Sequence, residues 1–274
     1  MVVNNPNTQG GHWLTLDENN EPTYVPNCDL RVARKVGAAP SVTGVDGILE
    51  KTGLNIWKQN GIARIAIHTD RREGENDDEM VKRIIADHKT LNKDAMTYGT
   101  YIHDQAEKLL NKQTPDDEPF VAKLGEWIEE NVVTVYWAEK TLLHATGLYG
   151  GRADALVELK GQDGRFLLDW KSQKFGYRNG KCSPHWYDSY VRQLAAYADC
   201  VGVNNIRPRI ASVAINTVAP TLPVIKIWTE AQQANALRQF MLVAELWCLL
   251  KKYDPRMVTR VANPKPKAKE AIAA

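Results

Sequence analysis

The chain has 274 residues, of which 43% are hydrophobic and 25% charged, and its formal net charge is +2. This length fits one large domain or two small ones, and the apolar fraction is ample for a packed core. So small a net charge excludes a polycation, and any nucleic-acid affinity must come from a local basic patch. No apolar run approaches the ~18 residues that span a bilayer, and residues 1–6 lack the basic and apolar regions of a signal peptide. We therefore expect a soluble, cytoplasmic α/β protein with no membrane partner.

The four cysteines are scattered along the chain, and no pair has the C-x-x-C spacing. This pattern argues against a zinc or iron–sulfur site and favours reduced thiols in an intracellular protein. We therefore expect no iron–sulfur cluster. The cysteines are Cys28, Cys182, Cys200 and Cys248.

The N-terminal half is predicted to be mainly helical after a loosely structured segment over residues 1–40, which short edge strands could interrupt. Thr43 with Asp46 resembles a capping box and predicts a helix that starts there and carries apolar residues from Ile48 to Trp57. A charged loop is expected over 71–79, and helical patterning resumes at Met80 and again over 101–110. Prolines at 115 and 119 break the chain before a further helix with Val121, Leu124 and Ile128 on its apolar face.

From residue 132 the hydrophobic period shortens towards two, which predicts strands over 132–137 and 140–144. Residues 155–159 and 166–170 are apolar and flank a Gly161–Gly164 turn, as in a β-hairpin. Ser183-Pro184 predicts the start of the next helix, with Ser as N-cap. Two strands over 210–218 and 224–228 follow, and then a final helix capped by Thr229 with Gln232. From Asp254 onwards we expect a basic, disordered tail.

The hairpin brings together the residues with the strongest chemical signal. If the turn pairs Lys160 with Arg165, Lys171 lies opposite Asp154, and Asp169 lies diagonal to Asp154 on the same face. The other face is then apolar throughout and consists of Ala155, Val157, Leu159, Phe166, Leu168 and Trp170. Two carboxylates beside one lysine suit a divalent metal and a polarised water. An exposed Asp–Lys pair of small energy is the alternative, but the apolar opposite face favours a functional site.

Two helical pairs add weaker signals. His103 and Glu107 share one helical face, as do Gln193 and Tyr197. A surface ion pair and an ordinary amphipathic edge are the respective alternatives. No second histidine follows His103 at zincin spacing, which argues against metalloprotease chemistry.

The order of these motifs resembles the RecB-like branch of the PD-(D/E)xK nuclease superfamily. The motifs are G-T-x-x-H-x-x-x-E at 99–107, G-x-x-D at 151–154, D-x-K at 169–171 and Q-x-x-x-Y at 193–197. The branch includes the RecB and AddB nuclease domains, CRISPR-associated RecB-type nucleases and mitochondrial genome maintenance exonuclease. The resemblance covers roughly 97–197, and 41–43 with Trp57 resembles the leading helix of the exonuclease-type members. It implies a restriction-endonuclease-like core over 41–253, with a central mixed β-sheet flanked by helices and an N-terminal helical portion.

The resemblance also implies roles for individual residues. His103, Asp154, Asp169 and the Trp170 backbone carbonyl would bind Mg²⁺ or Mn²⁺, and Lys171 would be the catalytic lysine. Gln193 and Tyr197 would steady the site and the nearby DNA, and Glu107, Arg152 and Gln173 are further supporting candidates. Glu139 is the best candidate for the first acidic motif, although it could equally be a solvated strand residue.

The segment after Lys171 alternates basic and aromatic residues, a composition that suits single-stranded nucleic acid. Its candidate DNA contacts are Lys174, Tyr177, Arg178 and Lys181, and a solvated loop is the alternative. The resulting hypothesis is a metal-dependent DNA exonuclease for single-stranded or frayed ends, acting in replication, recombination or repair in a bacterial or phage-infected cell. A recombination or replication protein is a candidate partner. The alternatives are an endonuclease of the same superfamily and a non-catalytic DNA-binding module, and a complete Asp154, Asp169 and Lys171 set disfavours the latter.

Overall fold

The computed structural model describes residues 12–50, 52–178, 181–202 and 206–258, without the side chains at 52, 54, 91, 92, 94, 95, 177, 178, 181 and 182. Its elements, in chain order, are β1 (Trp13–Leu16), β2 (Pro22–Tyr24), α1 (Leu30–Val36), β3 (Ala39–Pro40), α2 (Val42–Asp46), α3 (Thr52–Ile67), α4 (Asp77–Leu110), α5 (Pro119–Asn131), β4 (Val132–Leu143), β5 (Gly150–Leu159), β6 (Arg165–Gln173), β7 (Tyr177–Arg178), β8 (Lys181–Cys182), α6 (Asp188–Val201), β9 (Arg209–Asn216), β10 (Val224–Ile227), α7 (Glu230–Lys251) and a 3₁₀ helix (Pro255–Met257). None of the helices in these ranges is both long and apolar enough to cross a membrane.

The central sheet has five strands in the order β10-β9-β6-β5-β4. β6 and β9 run parallel, whereas the other neighbours are antiparallel. A parallel pair needs a crossover connection, and α6 lies in the chain between these two strands. The prediction of an α/β protein with a mixed sheet flanked by helices is therefore confirmed.

Each face of the sheet packs against a different pair of helices. On one face lie all six residues of the predicted apolar hairpin face, in a buried cluster with Ile102 of α4 and Trp127 of α5. On the other face, Leu156 and Leu167 share a cluster with Leu194 of α6 and residues of α7. The predicted alternation of hairpin side chains is thus confirmed.

The predicted register of the hairpin is wrong by two residues. Arg165 pairs with Glu158 rather than with Lys160, whose amide donates instead to the Asn131 carbonyl oxygen at 2.8 Å. A shift by two keeps every side chain on its predicted face, since strand side chains alternate with a period of two. Continued by one residue past Ala155–Leu168, the last pair of the ladder, the observed register places Asp154 opposite Asp169 instead of Lys171.

Residues 12–40 are structured, although the sequence predicts a loose segment there. β1 pairs with β2 and β3 in a small antiparallel sheet, and Trp13 and Leu14 are buried. The reason is a long-range contact: the Trp13 ring packs edge-on against Trp247 of α7, with centroids 5.9 Å apart. Residues 1–11 lie outside the described residues.

Several helix boundaries differ from those predicted. Ser41, not Thr43, caps α2, which ends after five residues, and α3 is a separate helix. α4 begins inside the predicted charged loop, at a capping box of Asn76 and Glu79, and joins the two predicted helical pieces into one helix of 34 residues. The predicted helix with Val121 is confirmed as α5.

The predicted helix start at Ser183-Pro184 is also wrong, because α6 begins only at Asp188. The Gln173 side chain bonds both the amide and the carbonyl of His185, at 3.0 and 3.1 Å, and so holds this segment out of the helix. The two strands predicted over 132–144 are one strand, β4. The final helix and its Thr229–Gln232 capping box are confirmed. Of the predicted tail, Pro255–Met257 forms the 3₁₀ helix, and 259–274 lies outside the described residues.

Candidate metal centre

Three potential metal ligands from three elements meet beside the central sheet. His103 of α4, Glu139 of β4 and Asp154 of β5 each offer one ligand atom, and these atoms lie within 4.8 Å of one another. His103 Nδ1 is 3.5 Å from an Asp154 carboxylate oxygen and 3.7 Å from a Glu139 oxygen. Of the predicted ligands, His103 and Asp154 are thus brought together, and Glu139, the candidate for the first acidic motif, joins them. We call these three residues the ligand group.

Glu139 reaches this position through an unusual backbone conformation. Its φ is 50°, in the left-handed region that L side chains disfavour. The flanking pairs Ala138–Ala155 and Lys140–Ala153 place it opposite Asp154 across the β4–β5 ladder. Arg152 Nε lies 2.5 Å from a Glu139 oxygen and holds the carboxylate there. Strained backbone of this kind persists only where surrounding contacts impose it.

Asp169 and Lys171 adjoin the ligand group through β6. The backbone amide of Trp170, between them, donates to the second Asp154 oxygen at 2.8 Å. Lys171 Nζ donates to Asp169 Oδ1 at 2.7 Å and to Gln193 Oε1 at 3.2 Å. Asp169 Oδ2 is buried and has no hydrogen-bond partner among the described residues. A buried carboxylate oxygen normally has a partner, so this atom is open to a further ligand.

The electrostatics of the site favour a positive charge at its centre. Burial acts to lower the pKa of His103, but Asp154 and Glu139 outweigh it and raise the pKa to about 10. Burial raises the pKa of Asp169 to about 6, with Lys171 opposing this and Asp154 adding to it. Burial also raises the pKa of Glu139. The crowded carboxylates therefore retain a proton on His103, and a bound cation would supply the same charge compensation.

A cleft of about 410 Å³ opens over the ligand group. Gly99 and Thr100 of α4 line one part of it, and Gly151, Arg152 and Tyr197 line another. Gly151 has a φ of 155°, and a Cβ atom there would lie 2.6 Å from the Tyr197 hydroxyl. Only glycine therefore lets Tyr197 pack so closely against the start of β5.

The remaining predicted site residues divide into two sets. Near the ligand group, Glu107 lies 3.7 Å from Arg152, Gln193 accepts from Lys171, and Tyr197 lines the cleft. Gln173 instead holds His185, and Lys174 is exposed on the segment that follows β6. The side chains of Tyr177, Arg178 and Lys181 lie outside the described residues.

Some residues of the cleft are missed by sequence reasoning. His12 and Tyr24 line it from the N-terminal sheet, and Met96 lines it from α4. The Tyr190 ring lies 4.9 Å from Lys171 Nζ, in cation–π contact. His12 and Tyr24 lie in a polar, asparagine-rich segment without periodicity, so no local pattern indicates their position.

The residues present fit a hard divalent cation. Carboxylate oxygens with one imidazole nitrogen suit Mg²⁺ or Mn²⁺, and the open Asp169 oxygen adds a further donor. A strand residue directs its N–H and C=O to the same side, so we expect the Trp170 carbonyl near Asp154 as well.

Comparison with known protein families and with curated proteins finds no match for this chain.

Proposed function

We propose that the chain is a metal-dependent DNA exonuclease that hydrolyses phosphodiester bonds at single-stranded or frayed ends. The observation that carries the proposal is the ligand group beside the Asp169–Lys171 pair, with a buried carboxylate oxygen left open. The resemblance to RecB-like PD-(D/E)xK nucleases supports it, since its motifs supply His103, Asp154, Asp169 and Lys171. A restriction-endonuclease-like core, and a role in replication, recombination or repair alongside a partner protein, belong to the same proposal.

Each residue has a definite role in this proposal. His103, Glu139 and Asp154 would hold Mg²⁺ or Mn²⁺, together with Asp169 and the Trp170 carbonyl. The metal would lower the pKa of a water molecule and offset phosphate charge. Lys171, fixed by Asp169 and Gln193, places its ammonium group where negative charge develops during hydrolysis or where a water must be oriented.

The preference for an exonuclease over an endonuclease rests on the resemblance. In the resembling exonucleases, the helices that carry the His103/Glu107 and Gln193/Tyr197 motifs enclose the active site and admit a threaded strand. A cleft of about 410 Å³ lined by α4 and the N-terminal sheet can take part of a single strand by stacking and phosphate contact. We therefore expect the enzyme to need a free DNA end.

Digestion of matched linear and circular DNA tests the proposal. We expect linear single strands to be shortened to small oligonucleotides in Mg²⁺ or Mn²⁺, while closed single-stranded circles persist. Ca²⁺ should support binding with little cleavage, and EDTA should abolish cleavage. The Asp154→Asn variant is the control for a contaminating nuclease.

Each other result points to a different function. Circles linearised as fast as linear strands are cut would indicate the endonuclease alternative. Binding without cleavage under all metal conditions would indicate the non-catalytic module. Cleavage by purified protein in excess chelator would contradict the metal mechanism.

A further inference from the structure

The cleft over the ligand group contains side chains that the proposed metal chemistry does not use. His12, Tyr24 and Met96 line it together with the ligand group. Its volume of about 410 Å³ falls within the range of about 300–1,000 Å³ that small-molecule sites occupy. The cleft therefore has room for one small, partly flat ligand next to the ligand group.

The N-terminal wall of the cleft is aromatic. The His12 and Tyr24 rings lie edge to face, with centroids 5.6 Å apart and planes at 83°. Rings in this arrangement leave π-faces available, and every nucleobase can stack on such a face. On α4, Met96 is 68% exposed, and its flexible thioether can adapt to a flat group.

This wall is joined to the strand that carries Asp154. Tyr24 pairs with Leu14 in the β1–β2 ladder, and β1 in turn pairs with β3. Ser41, which follows β3, forms a parallel bridge with Gly150, the first residue of β5. The aromatic wall is thus tied by backbone pairing to the start of β5, four residues before Asp154.

The cleft also offers a cation for a phosphate. Arg152 lines it, is paired with Glu139, and has a side chain that is 47% exposed. A guanidinium in this position can contact a phosphate oxygen while still holding the Glu139 carboxylate. Aromatic rings, a cation and the ligand group therefore surround one space.

We propose that this cleft is a subsite for one unpaired nucleotide, whose base stacks on the His12–Tyr24 wall while its phosphate lies beside Arg152 and the ligand group. The inference rests on the proposed function and adds its substrate class: an end nucleotide of any base, freed from its complement. Stacking tolerates all four bases, so little sequence preference is expected. A paired nucleotide keeps its base stacked in the duplex, so it must be freed before its base can stack on this wall.

Binding of end-modified oligonucleotides tests the subsite. Fluorescence anisotropy in Ca²⁺ compares a single-stranded oligonucleotide with versions that lack the base of the 5′ or the 3′ end nucleotide. We expect one of the two abasic versions to bind about tenfold more weakly to the wild-type protein. Tyr24→Ala and His12→Ala should bind the intact oligonucleotide more weakly and largely lose this preference. Tyr24→Phe should keep the preference, since it retains the ring.

Tyr136→Ala is the matched control, because Tyr136 is exposed on β4 and does not line the cleft. Thermal melting shows whether each variant is folded, and His12→Ala serves if Tyr24→Ala is not. The subsite is overturned if the wild-type protein ignores the missing base, or if both alanine variants retain the wild-type preference. If DNA is still degraded in that case, only the subsite fails. A protein that neither binds nor degrades these oligonucleotides overturns the proposed function as well.

Discussion

Asp154 is the residue on which the candidate site depends most, because its two carboxylate oxygens face different partners. One lies 3.5 Å from His103 Nδ1, and the other accepts the Trp170 amide at 2.8 Å. The second interaction fixes the carboxylate against β6, next to Asp169. The first interaction leaves the other oxygen beside His103, where it can act as a metal ligand.

Asp154→Asn, Asp169→Asn and Lys171→Ala should each lower the DNA cleavage rate by about 100-fold or more, since the first two remove a proposed metal ligand and the third removes the cation proposed to face the reacting phosphate. Binding should largely survive in the lysine variant, because other cations contact the phosphates. Single-turnover cleavage in Mg²⁺ measures the effect. Asp163→Asn and Lys160→Ala, in and beside the turn of the same hairpin, are the matched controls. Near-wild-type cleavage in any of the three site variants would show that the site lies elsewhere.

Metal binding should tighten as the pH rises. In the metal-free protein the pKa of His103 is about 10 and that of Asp169 about 6, so between these values His103 holds a proton that a metal must displace. Each proton released raises the apparent affinity about tenfold per pH unit. Calorimetric titration with Mn²⁺ between about pH 6.5 and about pH 8.5, inside this window, measures how the apparent affinity changes with pH. His103→Gln should flatten it, and an affinity that does not vary with pH in the wild-type protein would count against a histidine ligand.

At the scale of elements, the hairpin shows what a local pattern can and cannot determine. The faces of β5 and β6 follow from alternation, so the sequence predicts the apolar set from Ala155 to Trp170 correctly. It does not predict the register, because a shift by two residues leaves the pattern unchanged. The false helix start at Ser183-Pro184 has a related cause: the competing hydrogen bonds come from Gln173, which lies ten residues earlier.

The start of β5 should not tolerate a side chain at position 151. Gly151→Ala places a Cβ atom against the Tyr197 hydroxyl in a strained backbone region, and we expect a loss of about 1–3 kcal/mol of stability together with reduced cleavage. Gly176→Ala is the control, since a Cβ atom there has no neighbour within 4 Å. Urea unfolding compares the two variants. Equal stability of Gly151→Ala and the wild-type protein would contradict the close packing of Tyr197.

Asp199 links α6 to the connection between β4 and β5 and to the segment before β9. It accepts from Tyr149 at 2.8 Å, lies 3.2 Å from His144 Nε2, and pairs with Arg207 at 2.5 Å. Burial acts to raise its pKa, but these interactions hold the pKa well below the ordinary value. A carboxylate with a lowered pKa stabilises the fold above its unfolded pKa of about 4, and this contribution is lost as the pH falls towards the folded pKa.

Asp199→Asn should therefore destabilise the protein by about 2 kcal/mol at pH 7, with a smaller difference below about pH 4. Urea unfolding of the variant and of the wild-type protein, at about pH 7 and below about pH 4, measures the difference in stability. A destabilisation that is the same at both pH values would assign the effect to packing rather than to charge.

At the scale of the whole molecule, long-range packing accounts for what the sequence could not reveal. The N-terminal segment is ordered because Trp13 meets Trp247, more than 200 positions later. His12 and Tyr24 reach the cleft through that packing and through the backbone pairing that leads to the Ser41–Gly150 bridge. By contrast, the motifs at 99–107, 151–154 and 169–171 each carry a local signal, and the structure places their His103, Asp154, Asp169 and Lys171 around one site.

With a net charge of +2, the proposed DNA binding would depend on a local set of cations. Replacing Lys174, Arg178 and Lys181 by Ala should weaken single-strand binding and flatten its salt dependence, by about 0.7 in logarithmic slope for each phosphate that is no longer neutralised. Replacing Lys112, Lys123 and Lys160 is the charge-matched control, since all three lie elsewhere, with Lys112 and Lys160 exposed and Lys123 half-buried. Anisotropy titrations over a range of salt concentrations give both slopes. If the two triple variants have the same slope, the segment after β6 is a solvated connector.

The left-handed backbone at Glu139 has a consequence for how this protein would respond to engineering. Glycine adopts that conformation without the penalty a glutamate incurs, and it would also relieve the crowding of carboxylates around Asp154. Selection for thermal resistance alone would therefore tend to replace Glu139, and the more stable chain would lose a candidate metal ligand. At position 139, a substitution that raises stability would remove a group that the proposed metal site uses. Stabilising substitutions are therefore best sought at other positions in the chain.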